Sequence, residues 1–356
     1  MPRHKRGALN AEVVRGHLLG WYAANRRDLP WRRSRDPYFI WVSEIMLQQT
    51  RVAVVIDRFE AFVRQFPSVT ALARATEQEV LALWSGLGYY RRARMLHQAA
   101  KFVATHRHGK LPQTAEELRE LPGIGPYTAA AIASIAHGES EAVVDGNVER
   151  VLCRLEGWDE AGGKGAMEQR RKIQELAGQL LDPDRPGDFN QAMMELGATV
   201  CLPRNPQCLV CPLAKACKTR GEHKTLPRSP MQTKAVGHAL TARPVSDDAL
   251  ADGEVLLEQR PAATSVMPGM WQLPVLREAE VPAGELRMMV RHSIMQVTYT
   301  VRVRAVAAKD VPVLAVKGGK RRWVRLEDLE SIPLTGLTRK VLIRAGLMGG
   351  GSPTAV

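Results

Sequence analysis

Apolar residues recur at three- and four-residue spacing through most of the chain up to about residue 220. The segments 10–25, 37–52, 54–66, 76–84, 91–106, 114–120, 126–137, 146–155 and 168–181 each carry this stripe and predict helices joined by short loops. Two helix starts are signalled as well. Asp36 sets a capping carboxylate ahead of Pro37 at the first helical position, and Thr114 precedes Glu116 and Glu117. From about 218 to 236 the chain turns polar, basic and proline-containing, which predicts a linker. Beyond it the period falls to two. Stretches 253–259, 271–276, 291–307 and 321–326 alternate or are rich in β-branched residues and predict strands. A last helix near 336–346 precedes a Gly/Ser-rich tail, 348–356, expected to be disordered. The pattern divides the chain into a mainly α region (1–220), a linker (221–236), an α+β domain (237–347) and the tail.

Length and charge narrow the function classes. At 356 residues the chain can bury two cores, and 45% hydrophobic with 24% charged residues is the balance of an ordinary soluble protein. The formal net charge of +13 points to a polyanionic partner. A membrane surface is the rival, but no basic helix has an aromatic apolar face. The longest apolar run, Tyr127 to Ala136, is too short to span a bilayer. The basic opening MPRHKRGALN lacks the apolar core and cleavage site of an export signal, so a cytoplasmic monomer is expected.

Four cysteines, Cys201, Cys208, Cys211 and Cys217, fall in the pattern C-x6-C-x2-C-x5-C, while Cys153 stands apart. Thiolates this close in sequence can face one centre, either a tetrahedral zinc or a cubane iron–sulfur cluster. Zinc sites usually bring cysteines in C-x2-4-C pairs; one tight pair flanked by wide, unequal gaps favours [4Fe–4S]. Disulfides compete poorly, because no export signal accompanies the thiols.

Three other features carry chemistry. Leu121-Pro122-Gly123-Ile124-Gly125-Pro126-Tyr127 lies between two helical segments (114–137). Two glycines flanking an apolar residue allow a tight hairpin whose backbone N–H groups suit a phosphate oxygen; a plain helical hairpin is the alternative. Asp145 precedes a predicted helix and would cap it, and the same carboxylate could stabilise a developing sugar cation. Glu44 shares a helix face with Ile40 and Leu47. Burial there would raise its pKa and keep a proton for general-acid work, whereas a surface-facing Glu is the bland alternative.

Taken together these residues compose a family. LPWR, DPY, WVSEIMLQQTRV, GLGYYRRAR, LPGIGPYTA, VVDGNVERVL, FNQAMMELG and the four cysteines run in order across residues 20–220. They resemble the MutY-type adenine DNA glycosylases, iron–sulfur helix–hairpin–helix enzymes similar to endonuclease III. The resemblance implies base-excision repair on double-stranded DNA holding adenine opposite 8-oxoguanine or guanine. It implies base flipping, protonation of adenine N7 by Glu44, and oxocarbenium stabilisation or covalent capture by Asp145. Asn147 and Tyr127 would support that site. Trp31, Arg32, Leu47 and Gln191 match positions around the flipped base. Gln49, Thr50, Leu87 and Tyr89 match those that probe or wedge into the vacated stack, and Gln48 would also contact DNA; Arg91 and Gly123-Ile124-Gly125 would hold phosphates. Where endonuclease III places a Schiff-base lysine this chain has Tyr127, so efficient β-lyase activity is not expected.

Residues 237–346 resemble, more loosely, the family's Nudix-like C-terminal domain, through VLLEQRP, MWQLP and Trp323-Val324. Pro282 falls where a working Nudix helix would carry metal-binding glutamates, which argues for lesion recognition rather than nucleotide hydrolysis. The family's Phe-Ser-His motif is replaced here by Ile294, Met295 and Gln296, leaving His292 or Gln296 to read 8-oxoguanine. The alternatives are a bifunctional endonuclease III-like or thymine-mismatch glycosylase, a non-catalytic iron–sulfur DNA-binding protein, and a Nudix hydrolase. Tyr127, Gln191 and the long C-terminal part oppose the first, Glu44 with Asp145 the second, and the missing glutamates the third.

Overall fold

The computed structural model of the chain describes residues 9–158, 165–220, 230–244, 253–264, 266–276, 286–294, 297–311 and 320–349. It divides into two compact units, residues 1–74 with 95–227, and residues 75–94 with 228–356.

The first unit is helical: α1 (Ala11–Asn25), α2 (Pro37–Leu47), α3 (Val52–Gln65), α4 (Val69–Arg74), most of α6 (Arg91–His106), α7 (Ala115–Leu118), α8 (Pro126–His137), α9 (Gly146–Glu156), α10 (Ala166–Leu180) and α11 (Pro186–Thr199). Local chemistry fixes several boundaries. Asn10 caps α1 by accepting from the Val13 N–H, Asp36 caps α2 from the Tyr38 N–H, and Gly138 and Gly157 close α8 and α9 in the left-handed region. The predicted helix 37–52 stops at Leu47, because Gln48 leaves helical geometry and Gln49 turns to φ 57°. Two helices escaped the periodicity, α4 and α11. In α11 Gly187, Asn190, Glu195 and Gly197 are buried with Phe189, Met193 and Leu196, so the helix has no polar face for a stripe to mark. It packs on α1, α8 and α9, and α2 packs on α8. One core runs through Leu18, Tyr22, Val151, Leu152, Ile173 and Leu196, with Cys201, Cys211 and Cys217 against it.

The second unit begins with α5 (Glu77–Leu83), opened by a Thr76–Glu79 capping box, and the first turn of α6. It continues as β1 (Gln232–Leu240), β2 (Ala242–Pro244), β3 (Gly253–Gln259), β4 (Trp271–Gln272), β5 (Val275–Leu276), β6 (Met288–Ile294), β7 (Val297–Ala305), β8 (Lys320–Arg325) and α12 (Gly336–Arg344). Among the described residues the strands form two sheets, β5-β1-β7-β6 and β2-β3-β4 with β8 on β3. β1 runs parallel to β7, and β6 pairs antiparallel with β7 so that His292 faces Tyr299. Val255, Leu257, Trp271, Val290, Val301, Leu334 and Val341 form the core, which Met348 joins from the stretch expected to be tail. β1 likewise begins at Gln232, inside the stretch predicted as linker. Residues 277–285, where the Nudix glutamates would fall, lie outside the described residues, as do Met295 and Gln296. No described helix is long and apolar enough to cross a membrane.

Candidate active site

Helix α2 is buried almost all round: Ile40, Trp41, Val42, Ser43, Ile45 and Met46 are inaccessible, and Glu44 among them is only 5% exposed. An acidic side chain in such a segment demands a partner. Tyr127, in the first turn of α8, supplies one: its hydroxyl donates to Glu44 Oε2 at 2.6 Å and also touches Met194 Sδ at 3.5 Å. Burial pushes the Glu44 carboxyl up to about 7, with the Asp145 charge adding and the Tyr127 hydrogen bond and Arg32 opposing. Burial likewise raises the Tyr127 phenol well above its ordinary range, so it stays a donor.

Asp145 caps α9. Its Oδ1 accepts from the backbone N–H groups of Asn147 (2.9 Å) and Val148 (2.7 Å), and its Oδ2 from Asn147 Nδ2 (2.9 Å). Asn147 is itself held, because its Oδ1 accepts from Arg150 Nη2 at 2.8 Å. The same arginine donates to the carbonyls of Gly197 (2.7 Å) and Cys201 (2.8 Å). One guanidinium therefore joins the capping carboxylate's neighbour to the start of the cysteine loop.

Both carboxyls open into one cleft of about 610 Å³, a size suited to a single small molecule or base. Trp31, Arg32, Leu47, Gln48, Gln49, Thr50, Tyr127, Asn147 and Gln191 line it too, so eleven residues singled out from the sequence converge on one place. The rest lie elsewhere. Leu87 is buried (4% exposed), whereas Tyr89 is 41% exposed with φ 47°; Arg91 is exposed at the start of α6. In the hairpin Gly123 has φ 78°, and a Cβ there would sit 2.6 Å from Met95 Cβ, which restricts the position to glycine. Ile124 is buried, and Gly125 stands exposed at the head of α8. His292 is half-buried on β6 with its ring against Gly336; burial, helped by Lys340, lowers its pKa.

The cleft also contains a group that sequence reasoning missed. Glu195 is 1% exposed, and its carboxylate accepts from Arg27 Nε (2.7 Å), Arg27 Nη2 (2.8 Å) and Arg32 Nη2 (2.8 Å). Burial alone would raise its pKa; the two arginines outweigh it and hold the group at about 2. A signal was present, since Glu195 stands one turn after Gln191 and therefore on the same face.

The four thiols Cys201, Cys208, Cys211 and Cys217 line a single small cavity with Arg154. Arg154 donates to Cys201 Sγ (3.3 Å) and to the carbonyls of Leu202 (2.7 Å) and Pro203 (3.1 Å). Burial raises Cys201 and pushes Cys211 up to about 11, so a bound cation has protons to displace. Among the described residues no group of three His, Cys, Asp or Glu is arranged to hold a single metal ion.

Known proteins share this architecture. Residues 42–179 match the HhH-GPD superfamily base excision DNA repair protein model. The adenine DNA glycosylase of Homo sapiens is 36% identical over 407 aligned residues, covering 93% of this chain and 74% of its own. The solved structure of a thermostable thymine-DNA glycosylase superposes with TM-score 0.53 at 30% identity, over 58% of this chain and 94% of that one. A trapped endonuclease III–DNA covalent intermediate gives TM-score 0.50 at 22% identity, over 60% and 98% respectively, a likeness of fold. Those two solved structures align with about three fifths of this chain, whereas the human relative aligns with 93% of it. The chain belongs to the adenine DNA glycosylase family, DNA N-glycosylases of base-excision repair.

Proposed function

We propose that this glycosylase removes adenine paired with 8-oxoguanine or guanine, acting on a flipped nucleotide through Glu44 and Asp145. One observation carries the proposal: a buried carboxyl poised near 7 and a second carboxylate fixed by three donors open into the same cleft. Neutral adenine is a poor leaving group. A proton from Glu44 to N7 makes it a good one, and the Tyr127 hydroxyl holds the carboxyl in place for the transfer. As the N-glycosidic bond lengthens, positive charge grows on the sugar, and Asp145 is the anion positioned to stabilise it or to bond the anomeric carbon before water completes the hydrolysis. Trp31, Leu47 and Gln191 would contact the base. Arg32, tied to Glu195, would present a fixed donor rather than a mobile charge.

Tyr127 supports a monofunctional reaction, since a phenol forms no imine with the opened sugar. Gln49 and Tyr89, expected to probe the stack, both adopt left-handed backbone (φ 57° and 47°), a strain non-glycine residues tend to carry at functional positions. Cys201, Cys208, Cys211 and Cys217 would hold a [4Fe–4S] cluster; their shared cavity and their spacing along the chain support it. When bound, the cluster would brace the loop that Arg150 ties to Asn147. Residues 237–347 would recognise the lesion, with His292 the described candidate.

The test is single-turnover excision on A·8-oxoG, A·G and T·G duplexes, with and without alkali, plus borohydride trapping. Adenine release from the first two, strand breaks only after alkali, and no trapped adduct are expected. Release of thymine, or trapping on the A·8-oxoG duplex, would overturn the proposal.

A further inference from the structure

The loop carrying Leu87 and Tyr89 is clamped by side chains of its own segment, within the second unit. Trp84 Nε1 donates to the Gly88 carbonyl at 3.2 Å, and Arg92 Nη2 donates to the carbonyls of Leu87 and Gly88 at 3.1 and 3.2 Å. The Arg92 guanidinium also stands 5.6 Å from the Trp84 ring and 5.5 Å from the Tyr89 ring. Gly86, Gly88 and Tyr89 all have positive φ (97°, 69°, 47°), so the loop presents the exposed Tyr89 side chain from a strained backbone. Such strain persists where the surroundings over-determine it.

Two donors from the same segment reach one acceptor far away in sequence. Ser85 Oγ at 3.3 Å and Tyr90 Oη at 3.2 Å both donate to the buried carbonyl of Leu334. Leu334 is fixed in turn, since it bridges to Trp271 and the next residue, Thr335, donates its N–H to the Trp271 carbonyl at 2.9 Å. Thr335 caps α12, and Gly336, the first residue of that helix, lies against the His292 ring: a Cβ there would be 3.5 Å from Cε1. A packed path therefore runs from Tyr89 through Tyr90, Leu334, Thr335 and Gly336 to His292.

We propose that Ser85 and Tyr90 are positioning residues that make the stack-probing loop and the lesion-reading strand one mechanical piece, so that what His292 meets governs how Tyr89 engages the duplex. This rests on the preference for 8-oxoguanine proposed above. Neither hydroxyl touches the cleft or the reacting atoms; each acts through the Leu334 carbonyl. Leaving a buried carbonyl short of one donor costs enough to loosen the joint without unfolding it.

A double-mutant cycle tests this in the full chain, by single-turnover excision from A·8-oxoG and A·G duplexes. Tyr90→Phe keeps the ring and removes the donor. It is expected to lower the A·8-oxoG to A·G rate ratio about fivefold, the worth of one neutral hydrogen bond, while leaving the A·G rate nearly unchanged. Ser85→Ala, a second and independent probe, should shift the ratio the same way. His292→Ala should lower it too, and the Tyr90→Phe/His292→Ala pair should fall no further than His292→Ala alone. A wild-type preference that survives Tyr90→Phe, losses that multiply in the pair, or equal slowing on both duplexes would overturn the inference and leave the lesion preference standing. A wild-type protein with no preference would instead remove the preference itself, and the inference with it.

Discussion

Glu44 is useful because of where it sits. In water it would have surrendered its proton about two and a half pH units below neutrality; burial pushes it up to about 7. As the proposed general acid, Glu44 acts in its protonated form, so the excision rate is expected to fall as pH rises through about 7. The Tyr127 hydrogen bond lowers that pKa, so Tyr127→Phe should move the falling limb to higher pH; a limb that stays put, or moves down, contradicts the assignment. Stability follows the same titration. The folded-state pKa is raised, so the stability held below the ordinary 4.5 is lost as pH rises through about 7. Glu44→Gln does not titrate. Its thermal midpoint should therefore gain on the wild type between pH 5 and 8, as scanning calorimetry at both values would measure. A mutant midpoint that loses ground to the wild type as pH rises is the contrary result. Much of this residue-level chemistry was legible, because an acid inside the run YFIWVSEIML has few places to go. Glu195 was legible only in its place one turn after Gln191; its charge state depends on Arg27 and Arg32, more than 160 positions away.

Elements decide how firmly the site is held. The hairpin before α8 turns at Gly123, where positive φ and the neighbouring Met95 both exclude a side chain. Gly123→Ala is expected to cost about 1–3 kcal/mol and, if the turn holds a phosphate as proposed, to weaken binding to undamaged duplex as well as to substrate. Urea unfolding and fluorescence-anisotropy titration would measure both; unchanged values would mean that the turn relaxes. At α9 the arrangement is more exacting. Arg150 joins the Cys201 and Gly197 carbonyls to Asn147, and Asn147 donates to Asp145. Arg150→Leu should slow adenine release about 10- to 100-fold through lost charged hydrogen bonds, with DNA affinity changed far less. An affinity loss equal to the rate loss would make Arg150 a DNA contact instead. Helices with one apolar face, such as α3 and α9, declared themselves in the sequence. α11 did not, because burial on all sides erases the stripe.

Across the whole molecule, a net charge of +13 predicts counter-ion release on binding DNA. Log affinity should fall linearly with log salt at a slope of about −0.9 per phosphate contacted, and charge reversal at Arg91 should make it shallower by about one contact. A flat salt response would contradict a backbone-tracking partner. The division of the chain was the least legible feature. Sequence pattern assigns residues 75–94 to the helical region, yet they cluster with residues 228–356, through bonds such as Tyr90 to Leu334 that span more than 240 positions. Periodicity records which face is buried, not what buries it.

The most direct measurement is the single-turnover rate of adenine release from an A·8-oxoG duplex by wild type, Glu44→Gln and Asp145→Asn, with duplex affinity measured alongside. Both substitutions are expected to slow release by at least about 10²-fold, the smaller end of a general-acid contribution, while affinity stays within a few-fold of wild type. Near-normal release from either variant would contradict a reaction built on two carboxyls in one cleft.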